Sequence, residues 1–96
     1  MEITKCHNGE LAELLTLTVG VNSLGNRVYR NHLGQKHRVH GPAVITPGGH
    51  QLWYQNGMLH RTDGPALIWT DGGCEWWLND EEFTEEEWNE RINTTR

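Results

Sequence analysis

Through the middle of the chain, short runs of β-branched and aromatic residues alternate with clusters of Gly, Pro, Asn and Asp. Residues 42–46 (PAVIT) and 51–55 (QLWYQ) read as two strands joined by the turn cluster Pro47-Gly48-Gly49-His50. Asn56-Gly57 follows, the pair that tolerates positive φ in a tight hairpin turn, so the chain is predicted to reverse again towards Gly64-Pro65. Strands continue over residues 66–70 and 74–78, with Asp71-Gly72-Gly73 between them. The pattern predicts a mainly β chain, an antiparallel meander of tandem hairpins in a single twisted sheet. Side chains alternate across a strand, which sets Trp53 against Tyr54 and Trp76 against Trp77 on opposite faces. One aromatic rank is expected to be buried and the other to be available for recognition.

The hairpins repeat. Residues 37–45 (HRVHGPAVI) align with residues 60–68 (HRTDGPALI) at an offset of 23, from His37 to His60. The same offset carries Gly49 onto Gly72, Trp53 onto Trp76, Tyr54 onto Trp77 and Asn56 onto Asn79. Residues 25–37 echo the second half of the unit with one residue inserted, so a degenerate first repeat is placed from near Leu15. At the far end Asn79-Asp80-Glu81-Glu82 replaces Asn56-Gly57-Met58-Leu59, and Phe83 stands where His60 would recur. There the repeat stops. Thr84-Glu85-Glu86-Glu87 is a capping box, Phe83 and Trp88 are spaced as a hydrophobic staple, and a helix is predicted over 85–93 with Trp88 and Ile92 as its apolar stripe. That helix is expected to cap the open end of the sheet. The resulting division is an N-terminal segment and first strand over 1–24, hairpin repeats over 25–83, and a capping helix and tail over 84–96. Residues 10–15 read equally as a helical turn or as the lead into a strand over 15–21.

Composition restricts the function. At 96 residues the chain is short for a roomy enclosed active site, and its 35% hydrophobic content suits a thin β-architecture. Five tryptophans hold much of the apolar area. The net charge of −5 favours a partner with a basic surface and disfavours direct nucleic-acid binding. Cys6 and Cys74 do not make a disulfide scaffold, the N-terminus lacks a secretory signature, and no run is apolar enough to cross a bilayer. A cytoplasmic chain with reduced thiols and no membrane association is expected.

Candidate chemistry is sparse. His37, His40 and His60, and Cys6-His7, invite a metal reading. His37 recurs as His60 but His40 is replaced by Asp63, which favours a repeated imidazole bonded to backbone; no metal or other cofactor is expected. Arg38 and Arg61 recur and are read either as local ion-paired or aromatic-stacked side chains, or as one edge that binds an anion such as a nucleotide phosphate. Cys74 is expected to be a buried, inert thiol. The carboxylates near residues 80–87 read as a solvated helix cap, and no nucleophile motif is present, so an enzyme is not expected.

The pattern HRxDGPA, a Gly turn, then WYxNG resembles the MORN (membrane occupation and recognition nexus) class of hairpin repeats over residues 25–83, closest to a divergent version in short proteins of phages and their bacterial hosts. His40 in place of Asp, Pro47 before the turn Gly and Asp80 in place of Gly depart from it. The resemblance implies an extended sheet that serves as a platform for protein partners and carries no catalytic residues. By analogy it suggests an inhibitor or adaptor that occludes a host protein, such as a defence or nucleic-acid enzyme of the CRISPR effector kind. The partner-binding residues expected are Trp53, Tyr54, Trp69, Trp76 and Trp77 with Asp80, Glu81, Glu82, Glu85 and Glu86. Two rival readings are a nucleotide sequestrant using Arg38 and Arg61, and a structural homo-oligomer or virion component.

Overall fold

Positive-φ residues punctuate the chain at the turns and set the lengths of its strands. The computed structural model describes residues 17–94. Strand β1 (Thr18–Val21) and β2 (Arg27–Arg30) form the first hairpin, closed by Gly25 at φ 86° and by Asn22, whose side-chain oxygen accepts from Leu24 and Asn26. β3 (Val44–Ile45) and β4 (Gln51–Leu52) form the second, β5 (Tyr54–Gln55) and β6 (Met58–Leu59) the third. β7 (Leu67–Ile68), β8 (Cys74–Leu78) and β9 (Glu81–Phe83) complete the strands, and α1 (Glu85–Thr94) ends the fold.

The antiparallel order is β1-β2-β3-β4-β7-β8-β9, with β5-β6 as a separate two-stranded ribbon. The expected meander is present. One expected strand is not continuous: residues 51–55 divide at Trp53. Its first half pairs with β3 and β7, and its second half turns through Asn56-Gly57 to pair with β6. Both turn residues take the left-handed region, at φ 53° and 84°, as a tight hairpin requires. Trp53 keeps its backbone bonds through the break, donating to Ala66 O at 2.7 Å and accepting from His60 N at 3.0 Å. In the next repeat the equivalent strand, β8, stays whole and divides its pairing in the same way, its first half against β7 and its second against β9.

The core is thin and follows the repeat. Val28, Ala43, Val44, Trp53, Ala66, Leu67 and Trp88 are buried, and Ala43 and Ala66 have no exposed surface at all. Trp53, Ala66 and Leu67 form its centre, with Leu52, Leu59, Trp69 and Trp77 packed against them. Burying one Trp at 150–250 Å² is worth about 4–6 kcal/mol at 25 cal/mol per Å². Trp53 is therefore the largest single contributor in that centre.

The capping box forms as expected: Glu87 N donates to Thr84 Oγ1 at 3.1 Å and Thr84 N donates to Glu87 Oε1 at 3.0 Å. Glu85 and Glu86 lie in the first turn and Arg91 in the last, in accord with the helix dipole. Trp88 turns inward onto Trp76, with ring centroids 4.7 Å apart, and its Nε1 donates to Arg61 O at 3.0 Å. The helix thus seals the last repeat. The thiol–imidazole pair Cys6-His7 and the alternatives for residues 10–15 lie outside the described residues.

Candidate partner-binding surface

Each repeat contains the same small assembly, and its chemistry explains the HRxxGPA signature. The Arg38 guanidinium carbon sits 4.1 Å from the centroid of the Tyr29 ring, and that of Arg61 sits 3.6 Å from the Trp53 ring. Each arginine reaches past its own loop to the carbonyl four residues on, Arg38 Nη1 to Pro42 O at 3.4 Å and Arg61 Nη1 to Pro65 O at 3.1 Å. The other face of each guanidinium lies on a glycine: a Cβ at Gly41 would come within 2.7 Å of Arg38 Cζ, and one at Gly64 within 2.8 Å of Arg61 Cζ. The glycine is required for proximity, not for an unusual φ. The alanine after each proline is sealed below, its carbonyl accepting from the ring-bearing residue, Tyr29 N to Ala43 O and Trp53 N to Ala66 O. In the last repeat the ring is Trp76, and the indole of Trp88 takes the place an arginine would fill.

The histidine before each arginine fastens one repeat to the next. His37 Nδ1 accepts from Asn56 N at 3.0 Å, and His60 Nδ1 accepts from Asn79 N at 3.1 Å. Those asparagines open the positive-φ turns, so the imidazole satisfies an amide at a point of backbone strain. Burial holds His60 below the usual histidine range. His50 plays a related part, accepting from Thr70 N at 3.1 Å while its ring meets Trp69 edge-on at 5.0 Å. The imidazoles are thus bonded to backbone, and among the described residues no group of three His, Cys, Asp or Glu side chains is arranged to hold a metal ion.

These contacts relocate several of the expected site residues. Trp53 is in the core with a guanidinium over its ring, so it offers no face to a partner. Tyr54, Trp69, Trp76 and Trp77 are half-buried. Tyr54 lies under the Lys36 ammonium, 5.0 Å from its ring centroid, and its phenol is raised above the usual tyrosine range by burial and then by the charge of Asp80. Trp77 packs on the central cluster and donates through Nε1 to Glu75 at 3.0 Å. The aromatic platform is a set of packed edges, not a bare rank. Arg38 and Arg61 do not line an open anion site either, because both are stacked and hydrogen-bonded within the chain. Arg61 Nε also pairs with Asp63 at 2.7 Å, whereas Arg38 Nε is buried without a partner where His40 replaces the aspartate. Cys74 is exposed, not buried, because it opens β8 beside the Gly72-Gly73 turn, outside the packed part of the strand.

The acidic residues are divided between the β8–β9 turn, strand β9 and the first turn of α1, so only Glu85, Glu86 and Glu87 belong to the helix cap that the sequence suggests. Asp80, Glu81, Glu82, Glu85 and Glu86 are all exposed at the β9–α1 end. Asp80 has φ 70° and spends its carboxylate on Leu59 N at 2.7 Å, which compensates a strained position that Gly57 fills in the preceding repeat. Beside it, Glu81, Glu82, Phe83, Glu87, Glu90 and Arg91 line a cleft of about 480 Å³. Arg91 lies 4.8 Å from the centroid of the Phe83 ring. The Phe83 ring thus already carries the chain's own guanidinium, and the exposed carboxylates beside it are what suits a basic side chain of another molecule. The large apolar side chains most open to solvent are Val19, Val21, Leu24, Leu33 and Val39, all in the first half of the chain. No motif in the sequence marks these scattered aliphatics, whose exposure is set by the fold.

Comparison with known protein families, curated proteins and solved structures finds no significant match for this chain.

Proposed function

We propose that this chain is a non-enzymatic protein-binding module of MORN-like hairpin repeats, acting in the cytoplasm by occluding a basic surface of a host or cognate protein. The observation that supports the reading is the β9–α1 cleft, in which exposed Glu81, Glu82, Glu87 and Glu90 surround Phe83. The capping box and the β8–β9 hairpin fix the backbone that carries these carboxylates, so the acidic surface is in place before a partner arrives. Arg38, Arg61, His37, His50 and His60 are held inside the repeats by stacking and backbone hydrogen bonds, while Glu81, Glu82, Glu85 and Glu86 stand exposed at the acidic end. No helix among the described residues is long and apolar enough to cross a membrane.

An inhibitor or adaptor working this way occupies a basic channel or groove, and it needs neither a pocket for a small substrate nor a cofactor. Affinity capture from a host lysate with the full chain, repeated with Glu82→Lys/Glu86→Lys, tests it. One protein retained by the wild type, lost on the charge reversal and released by salt, supports the reading. Capture unchanged by the reversal, or no specific protein captured, refutes it.

A further inference from the structure

Charge is divided along the chain in a way that the overall net value hides. From Leu17 through Thr62 there is no Asp or Glu, and Arg27, Arg30, Lys36, Arg38 and Arg61 lie there. From Asp63 through Thr94 carboxylates accumulate, and Arg91 is the sole Lys or Arg. The sheet order carries part of this division into space: Arg27 and Arg30 stand on β2, whereas Lys36, Arg38 and Arg61 lie in the connections between strands and Arg61 packs on Trp53 beside Trp88. β1 to β4 form one end, and β7 to β9 with α1 form the other.

Each end is also a sheet edge. Among the described strands, β1 and β9 are each paired on one side only. All four residues of β1 are exposed, including Val19 at 58% and Val21 at 70%, and Leu24 in the adjoining turn is 76% exposed. A strand edge with solvent-facing valines is a template for pairing with another chain. Arg27 and Arg30, both exposed, lie opposite Val21 and Thr18, so cationic side chains stand at both ends of the β1–β2 ladder. The opposite edge carries exposed Glu81 and Glu82, and Glu85 and Glu86 begin the helix just beyond it.

We propose that copies of this chain associate head to tail, the basic β1–β2 edge of one molecule docking against the acidic β9–α1 end of the next. The occupant is a second copy because the chain carries both halves of a complementary pair, one at each end of one sheet. Pairing two basic edges, or two acidic ends, brings like charges together and is disfavoured. Opposite ends attract. A contact of this kind is heterologous, so it extends into a series or closes into a ring, and either product builds up with concentration above the monomer. The inference does not rest on the capture of another protein; the two compete for the same acidic end and are tested separately.

Sedimentation equilibrium of the full chain decides it. At low salt, about 20 mM, where the screening length exceeds about 20 Å, the weight-average mass should rise with concentration above the 11.1 kDa monomer, and at about 1 M salt it should return to monomer. Arg27→Glu/Arg30→Glu makes both ends acidic, and Glu82→Lys/Glu85→Lys adds cations to the acidic end. Each variant alone should be monomeric at low salt, and an equimolar mixture of the two should associate again. Circular dichroism establishes that both are folded. A wild type that stays monomeric at low salt overturns the proposal, as does association that survives either reversal or a mixture of folded variants that fails to recover it. Failure of self-association combined with binding of a double-stranded oligonucleotide that depends on Arg27 and Arg30 would assign the basic edge to polyanions instead.

Discussion

Replacing Gly64 by Ala tests whether the Arg61 stack, and not the glycine's own backbone, is what the repeat requires. Gly64 does not have positive φ, so alanine is compatible with its backbone. The added Cβ would stand 2.8 Å from Arg61 Cζ, 3.0 Å from Nη1 and 3.1 Å from Nε. A guanidinium is the free end of a flexible side chain, so it yields. In yielding it leaves the Trp53 ring, the Pro65 carbonyl and the Asp63 carboxylate. The stack is worth about 1–2 kcal/mol with the side chain only 18% exposed, and the bond to a carbonyl about 1 kcal/mol. The ion pair adds little, because the Asp63 side chain is 77% exposed. Against this, alanine stabilises by about 0.4–1 kcal/mol through the unfolded chain. The net expectation is a loss of about 2 kcal/mol, or roughly 8–16 °C in Tm for a chain of this size. Urea unfolding followed by tryptophan fluorescence measures it. The sharper test is the double-mutant cycle. If the cost runs through Arg61, Gly64→Ala in an Arg61→Ala background should be neutral or slightly stabilising. An equal loss in both backgrounds refutes the reasoning.

Acidification should weaken the fold through His60. Its imidazole is held below the usual range, so the unfolded chain takes up the proton first, and stability is lost as pH falls below about 6.5 and is level above it. The difference in unfolding free energy between wild type and His60→Gln should therefore shrink from pH 7 to pH 5; a constant difference contradicts this. Trp88→Ala removes a buried indole, its contact with Trp76 and its bond to Arg61 O, and should cost about 3–5 kcal/mol in chemical denaturation while reducing the helical signal in far-UV circular dichroism. Unchanged stability would show that the helix does not cap the sheet. His40→Asp supplies Arg38 with the carboxylate that Arg61 already has, and thermal melts should show a gain of about 0.5–1 kcal/mol. A loss would mean that the two loops are not equivalent.

The recurrence at 23 residues, the Asn-Gly turn and the capping box are local statements. They depend on φ preferences and on hydrogen bonds between near neighbours, so the hairpins, the meander and α1 were legible in the sequence. The alternation expected of Trp53 and Tyr54 presumed one continuous pleat, and the strand divides at Trp53 instead. Which faces stay open was not legible. A long side chain such as Arg61 covers whichever ring the fold brings within its reach, and only the packed arrangement shows that it lands on Trp53. In the same way, β8 could be read as a strand from its residues, but the exposure of Cys74 depends on how far β7 and the cap extend over it.

Sequence alone determined the hairpin repeat, the meander order and the capping helix, since each follows from interactions that span a few residues, but not the break at Trp53 or the strand β9. Tertiary structure decided what the repeated residues are for. It made Arg38 and Arg61 fillers over aromatic rings, His37 and His60 acceptors for strained amides, and the β9–α1 end an exposed acidic surface. It also placed the basic and acidic stretches of one chain at opposite edges of one sheet. The physical reason is that burial and long-range pairing belong to surfaces in contact, and contact is set by the three-dimensional register of the strands, which no single window of sequence contains.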